Sequence, residues 1–449
     1  MPNDLVARYS KPVPRYTSYP TAPHFHHGIG EDDYRAWLAR VPSEAAISLY
    51  VHVPFCDRLC WFCGCHTKQV LRYDPIAAYL PSVHREIAEV AGALDGRGRA
   101  VAIHMGGGSP SMLAPADLVA LSAQIRSHFV APPELEFSIE IDPNDMTPDR
   151  YDGFAEAGVT RISVGVQDFD PKVQAAINRI QTFEQTRDVI EGMRAKGVRS
   201  ANVDVLYGLP HQTVASVGRT VEMSLAMLPD RIALFGYAHV PWMKTHQRMI
   251  DESVLPDPRQ RLDQARVAAA MILAAGYVQI GMDHFARPAD GLAVAAAKGR
   301  LHRNFQGYTT DEAPVLLGFG ASSIGSLPDG HVQNATATGE YVRRIAETGL
   351  AIARGVAFQG DDRLRGHAIE RLMCDFHLSF DALRRRFGDS SETVIAELRD
   401  YAINDPDELL VLDADGVLVT DRGRPFVRVV AASIDAYLDR GKARHSVAV

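Results

Sequence analysis

Long apolar runs are missing from this 449-residue chain, and no segment approaches the roughly 18 residues that a membrane-spanning helix needs. The N-terminus, from Met1 to Arg8, has no basic region leading into an apolar one, so no secretory leader is expected. A surplus of positive charge is absent too. Against 55 Asp and Glu stand 47 Lys and Arg, a net charge of −8, which removes the global electrostatic ground for a nucleic-acid or anionic-membrane partner. Cysteine is scarce and uneven: of five, four fall between Cys56 and Cys65, and Cys374 stands alone in an apolar helical context that suits a buried core residue. An odd number so clustered argues against a disulfide framework and fits a reducing compartment, so a cytoplasmic protein is expected.

What is present is ordinary for a soluble globular protein, with 46% hydrophobic and 23% charged residues. The length allows two or three domains and a large core. The chemistry concentrates in one stretch, Tyr50-Val-His-Val-Pro-Phe-Cys56-Asp-Arg-Leu-Cys60-Trp-Phe-Cys63-Gly-Cys65. Gaps of three and two residues let a tight loop turn the thiolates of Cys56, Cys60 and Cys63 inward onto one centre, and thiolates select iron-sulfur clusters, zinc or copper(I) over hard cations. Zinc is the rival. A closed zinc site needs four ligands, and neither a second C-x2-C pair nor an H-x3-5-H follows, although Cys65 and His66 could complete a cramped local knuckle. A ferredoxin would use four cysteines per cluster, and Cys65 lies too close to Cys63 to serve comfortably as the fourth.

The spacing C-x3-C-x2-C is similar to the signature of radical S-adenosylmethionine (SAM) enzymes. The fourth cysteine, C-x3-C-x2-C-x-C after Tyr50 and Pro54-Phe55, resembles more narrowly the oxygen-independent coproporphyrinogen III oxidases; related haem chaperones usually carry phenylalanine at the position of Cys65. Further segments carry the same resemblance: Arg15-Tyr-Thr-Ser-Tyr-Pro-Thr21, Gly106-Gly-Gly-Ser-Pro110, Glu140-Ile-Asp-Pro143, Gly165-Val-Gln-Asp168, Asp204-Val-Leu-Tyr-Gly208 and Arg303-Asn-Phe-Gln-Gly-Tyr-Thr309. It implies a 4Fe-4S cluster on Cys56, Cys60 and Cys63. The open iron would be chelated by SAM, which is split to a 5'-deoxyadenosyl radical, and a second SAM would lie beside the first. Positions matching the first SAM's contacts are Tyr50, Gly107 and Glu140. Those matching the second are Phe62, Gly108, Ser109, Gln167, Arg179, Asp204, Ala238 and Ile324, with Ser109 where threonine is common. The implied reaction removes two propionate carboxylates from coproporphyrinogen III without dioxygen and leaves the vinyl groups of protoporphyrinogen IX. A flavodoxin or ferredoxin system is the implied electron donor, and a monomer is expected. The alternative is a haem-binding or haem-delivery protein with the same fold; a third reading is anaerobic haem breakdown.

From the residues themselves, Arg179 could grip a carboxylate while Asp204 takes a hydroxyl or ammonium, or the two could pair with each other. Gly107 and Gly108 stand where a strand turns and let backbone approach a ligand closely.

Domain organisation follows from local patterning. Residues 1–45, with Pro12, Pro14, Pro20 and Pro23, predict an extended arm. Its Arg15 to Tyr19 run either closes over an apolar, carboxylate-bearing ligand or serves as a strap on the core. From Ala46 a strand-then-helix rhythm predicts strands over 47–53, 101–105, 137–141, 161–166, 202–206 and 232–238, each ending in polar or glycine residues. That alternation argues for an α/β fold with parallel strands, and the resemblance implies an incomplete barrel of six βα units spanning residues 46–289, open on one side. Residues 290–449 are expected to form a mostly helical C-terminal domain. It would hold helices over 367–376 and 391–401 and a hairpin turning at Asp415-Gly416. Three adjacent arginines, Arg384 to Arg386, read as a solvated helix face.

Overall fold

The structure, a computed structural model, describes residues 3–132 and 134–438. The strand β1, Ala46–Val53, shows how the sheet is built. Ile47, Leu49, Val51 and Val53 are buried against helices on one face, and alternation turns Ser48, Tyr50 and His52 to the other. The same scheme repeats through α3 (Asp74–Leu94), β2 (Arg99–Gly107), α4 (Pro115–His128), β3 (Glu136–Ile141), α5 (Pro148–Glu156), β4 (Arg161–Gln167), α6 (Phe183–Ala195), β5 (Ser200–Tyr207), α7 (Val214–Ala226), β6 (Arg231–Gly236) and α8 (Pro258–Ala274). Strands β1 to β6 lie side by side in chain order, all parallel. No helix among the described residues is long and apolar enough to cross a membrane.

The sheet does not stop at six strands. Two short antiparallel strands, β7 (Val278–Ile280) and β8 (His284–Ala286), finish the β6 edge. On the opposite edge β9 (Val315–Phe319) pairs parallel with β1, and β10 (Ile324–Leu327), β11 (Gly330–Asn334) and β12 (Ile352–Ala357) continue antiparallel. The result is one open twelve-stranded sheet, not a closed barrel. The expected boundary at 289/290 therefore cuts through a continuous sheet. Helix α9 (Thr338–Thr348) lies between β11 and β12; the four strands β9 to β12, in a part expected to be mostly helical, are short and broken by glycines, which hides them in the sequence.

Beyond β12 a separate core forms around α10 (Asp362–Asp375), α11 (Phe380–Phe387), α12 (Glu392–Asn404), α13 (Val427–Ala432) and a three-stranded antiparallel sheet. In that sheet β15 (Gly416–Val419) lies between β13 (His377–Ser379) and β14 (Leu410–Leu412), so the expected hairpin gains a third strand. Arg384 faces Glu392 at 2.6 Å and Asp381 at 3.3 Å on the surface.

The N-terminal arm is not extended throughout. Helices α1 (Asn3–Tyr9) and α2 (Glu31–Leu38) flank the proline-bearing part. The prolines sit between residues 12 and 23 and leave both flanks free to coil. In α2 the spacing of Tyr34, Trp37 and Leu38 makes one apolar stripe, which packs into the sheet's core. Leu5, Tyr9, Tyr16 and Tyr19 pack into the C-terminal core instead. One arm thus ties two cores together.

A buried carboxyl locks β9 and the turn after it to the helices. Glu86 of α3, 2% exposed, accepts hydrogen bonds from the Gly320 amide at 2.7 Å, Asn334 Nδ2 at 2.6 Å and the Tyr341 hydroxyl at 2.7 Å. Burial outweighs these donors and raises its pKa from 4.5 to about 7. Because the folded pKa lies above the unfolded one, the favourable contribution is full below pH 4.5 and is lost as pH rises through 7. The loss amounts to about 3 kcal/mol by pH 8. Wild-type Tm is therefore expected to fall between pH 4.5 and 7 and to level off above that, and Glu86→Gln to flatten the slope in calorimetric scans; an unchanged slope would refute the assignment.

Candidate active site

The cysteine loop leaves the C-terminal end of β1, where side chains and backbone from several strands meet. Phe55-Cys56 pairs briefly with Lys68-Gln69, closing the loop on itself. Its backbone is braced from two sides. The Trp61 amide donates to the Ile177 carbonyl at 2.9 Å, and Asn178 Nδ2 to the Leu59 carbonyl at 2.9 Å. From the segment after β6, Lys244 Nζ reaches the Cys65 carbonyl at 2.9 Å, His246 Nε2 contacts the Cys63 carbonyl at 2.8 Å, and Gln247 Nε2 donates to the Phe62 carbonyl at 2.9 Å. Nothing in the sequence marked these three residues, which reach the loop through its main-chain oxygens.

Two glycines allow the loop to close. Gly107 ends β2 at φ +108°, and a Cβ there would meet the His52 ring at 2.3 Å. At Gly108 a Cβ would stand 2.5 Å from the Phe55 carbonyl oxygen, because the chain after β2 packs directly on the cysteine loop.

Cys60 is buried, Cys56 and Cys63 half-buried and Cys65 exposed. The Cys65 thiol and then its amide, 3.3 Å from Cys63 Sγ, bring the Cys63 thiol down to about 7. Burial, followed by the charges of Cys63 and Cys60, pushes the Cys56 thiol up, so the three sulfurs lie within electrostatic reach of one another. Yet among the described residues no three His, Cys, Asp or Glu side chains converge closely enough for a single metal ion. A donor set of three neighbouring thiols, one short of a closed zinc site, suits an iron-sulfur cluster with one iron left to another ligand. Arg179 adds a cation beside them, with Nη1 3.8 Å from Cys60 Sγ.

Arg179 does not pair with Asp204, as the sequence had allowed. Its Nη1 binds Asp142 Oδ2 at 2.7 Å, Nε binds Gln181 at 2.9 Å and Nη2 binds the Gly165 carbonyl at 3.0 Å. Asp142 is the aspartate of the Glu140-Ile-Asp-Pro143 segment, and the fold brings it nearer than Asp204. Gln167, at φ +61°, ends β4 and lies with Arg179 against Gly165. Asp204 accepts from Asn202 Nδ2 at 2.8 Å and Ser163 Oγ at 3.2 Å; burial and the nearby Glu140 raise its pKa to about 6.

A second group gathers around Glu140. Its Oε2 accepts from the Gly107 amide at 3.0 Å and its Oε1 lies 3.5 Å from His104 Nε2. Burial disfavours its charge, but His104 and Gly107 outweigh that and hold the carboxyl below its usual range. Tyr50 stacks on His104 with ring centroids 5.7 Å apart and meets His52 Nδ1 at 3.0 Å. His104 was not singled out by the sequence. Ser109 bonds to Asp145 and, at 2.9 Å, to Ser111. Phe62 packs among Trp61, Ile177 and Tyr237, and the Ala238 carbonyl accepts from Gln247 at 3.2 Å. Ile324 opens β10, its carbonyl crowding Gly318, which lies opposite Tyr50.

Two cavities share Phe235 as a wall. The smaller, about 200 Å³, reaches into the sheet's interior and is lined by His104, Glu140, Asn202 and Asp204. The larger, about 610 Å³, is walled by Tyr207, Ala238 and Phe285 and carries Arg15, Arg261 and Arg428. The arm is divided: Arg15 faces this cavity, whereas Tyr16 and Tyr19 are buried in the C-terminal core and, with Thr17 and Ser18, line a separate cavity of about 500 Å³.

Comparison with known proteins agrees with this geometry. Residues 50–224 match the Radical SAM superfamily model and residues 358–426 the HemN C-terminal domain. An oxygen-independent coproporphyrinogen III oxidase of Bradyrhizobium diazoefficiens is 49% identical over 447 residues, covering 99% of each chain. The chain belongs to the oxygen-independent coproporphyrinogen III oxidases. The family's Escherichia coli member is 39% identical over 98% of this chain and 96% of its own. A solved structure of the E. coli enzyme, HemN, described as a radical SAM enzyme, superposes with a TM-score of 0.90 at 38% identity. It covers 94% of this chain and 98% of the other.

Serine at Cys56, Cys60 or Cys63 is expected to remove most of the iron bound after anaerobic reconstitution, whereas Cys65→Ser retains it. Iron analysis of the four variants checks this, and loss in Cys65→Ser equal to that in Cys60→Ser would make Cys65 a ligand.

Proposed function

We infer that this protein carries out the oxygen-independent conversion of coproporphyrinogen III to protoporphyrinogen IX. The observation that carries the reading is the placing of an arginine-bearing, apolar-walled cavity of about 610 Å³ at the same end of the strands as the three-thiol loop. A macrocycle with four peripheral carboxylates suits that lining.

Cys56, Cys60 and Cys63 hold a 4Fe-4S cluster, with Arg179 offsetting thiolate charge. Tyr50, Gly107 and Glu140 receive one SAM; Phe62, Gly108, Ser109, Gln167, Arg179, Asp204, Ala238 and Ile324 receive a second. Cluster and SAM together supply a carbon radical strong enough to take hydrogen from an unactivated C–H bond, which no side chain here could do by acid-base chemistry. The chain's own part is placement. Glu140, fixed by His104 and Gly107, presents a charged carboxylate to an ammonium or ribose diol. The cavity wall keeps the propionate side chain against the radical source and away from water. Each vinyl group formed balances as one hydrogen atom, one carbon dioxide and one electron released, and the electron leaves to an external acceptor. A flavodoxin or ferredoxin as reductant, a cytoplasmic location and a monomer complete the reading.

The reconstituted, reduced protein is expected to convert coproporphyrinogen III to protoporphyrinogen IX under strict anaerobiosis, with SAM consumed, as followed by chromatography of the oxidised porphyrins. Stoichiometric haem binding without vinyl product would instead make it a haem carrier, and haem consumption a degrading enzyme.

A further inference from the structure

The larger cavity concentrates charge in a way the rest of the acidic chain does not. Five arginines line it, Arg15, Arg261, Arg266, Arg424 and Arg428, against two carboxylates. One of these, Asp421, is already engaged by Arg424 at 3.2 Å. The other is Asp283, between β7 and β8, set inside the cationic lining with its side chain 14% exposed.

The arginines are held in place. Arg261 Nη2 donates to the Tyr237 carbonyl at 2.8 Å, Arg428 Nη2 to the Val13 carbonyl at 3.2 Å and Arg15 Nη2 to the Gly236 carbonyl at 3.4 Å. The bonds of Arg15 and Arg261 run to neutral carbonyls and orient the guanidinium, and planar forks of this kind match carboxylates. Asp283 is fixed as well: its Oδ1 lies 2.7 Å from His284 Nδ1, and the residue lines the cavity. Burial disfavours its charge, yet His284, Arg303 and Arg15 outweigh that and keep the carboxyl below the usual range.

A porphyrinogen poses two recognition problems. Its four propionate-type carboxylates sit at the rim, and its four pyrrole N–H donors point to the centre of the ring. Burying those donors without an acceptor is costly. A single carboxylate oxygen surrounded by spaced cations is the complementary pattern. Resting on the function proposed above, we propose that Asp283 accepts the convergent pyrrole N–H groups of the substrate while Arg15, Arg261 and Arg428 receive its peripheral carboxylates. Asp283 is then what distinguishes the reduced macrocycle from the aromatic porphyrin, which has two N–H groups in a flat ring and presents fewer donors.

Two ligands separate these roles in the reconstituted holoenzyme: a carboxylate-free octaalkylporphyrinogen, which reads the ring centre only, and aromatic coproporphyrin III, which keeps the carboxylates. Asp283→Asn should raise the KM for coproporphyrinogen III at least about tenfold. It should also weaken competitive inhibition by the octaalkylporphyrinogen to a similar degree and leave equilibrium binding of coproporphyrin III, measured by fluorescence, within about threefold of wild type. Arg261→Gln and the exposed Arg15→Gln should do the converse: KM and coproporphyrin III binding weaken, and octaalkylporphyrinogen inhibition stays. Iron content and Tm report folding, and should Asp283→Asn fail that check, the arginine pair still decides the rim half and Asp283→Glu the centre half. Equal losses for both ligands in every variant, or none in any, would overturn the proposal. A wild-type protein that forms no vinyl product would instead count against the function itself.

Discussion

A short loop that carries four of the five cysteines has to be held in place from outside, and that constraint governs the rest of the molecule. The ten residues from Cys56 to Cys65 form little regular structure of their own, so their main-chain groups need partners from elsewhere. The partners come from far along the chain: Ile177, Asn178, Lys244, His246 and Gln247. Close approach at Gly107 and Gly108 supplies the remaining room. The parallel sheet fixes where these contributors end, and all lie at the C-terminal side of its strands, where α/β sheets carry their ligands.

Charge is handled by the same economy of position. An acidic chain gathers arginines around one cavity and lets burial and mutual repulsion work against them: Arg428 is lowered to about 10, by burial first and then by Arg15. A cationic lining of this kind is electrostatically complementary to an anion.

Much of this was legible in the residues, and what was hidden was hidden for physical reasons. The central strands fall within a few residues of expectation, since buried β-branched runs ending in polar residues have few other readings. The cysteine spacing points to a thiophilic metal centre, and the family resemblance implies that it is an iron-sulfur cluster. The arm's helices were obscured because prolines at 12–23 dominate a short window whose flanks are helical. The partner of Arg179 stays open in the sequence, because Asp142 and Asp204 look alike until distances exist. Arg15 stands in a recognisable segment, but Arg261, Asp283 and Arg428 carry no pattern; only the fold collects residues so far apart in sequence.

The sheet order also says something about how the chain can be made. Strand β1 pairs with β9, whose partner residues lie more than 260 positions later, and helix α1 packs against residues of α13. During synthesis from the N-terminus, β1 therefore has one open edge, and Leu5 and Tyr9 have no core to enter, until nearly the whole polypeptide has emerged. The wall that Arg15 contributes is among the first residues translated and among the last to find its place. Cluster insertion thus has an interval in which the cysteine loop and its β1 support exist while the large cavity is still unroofed, and the order of biogenesis is written into the strand order.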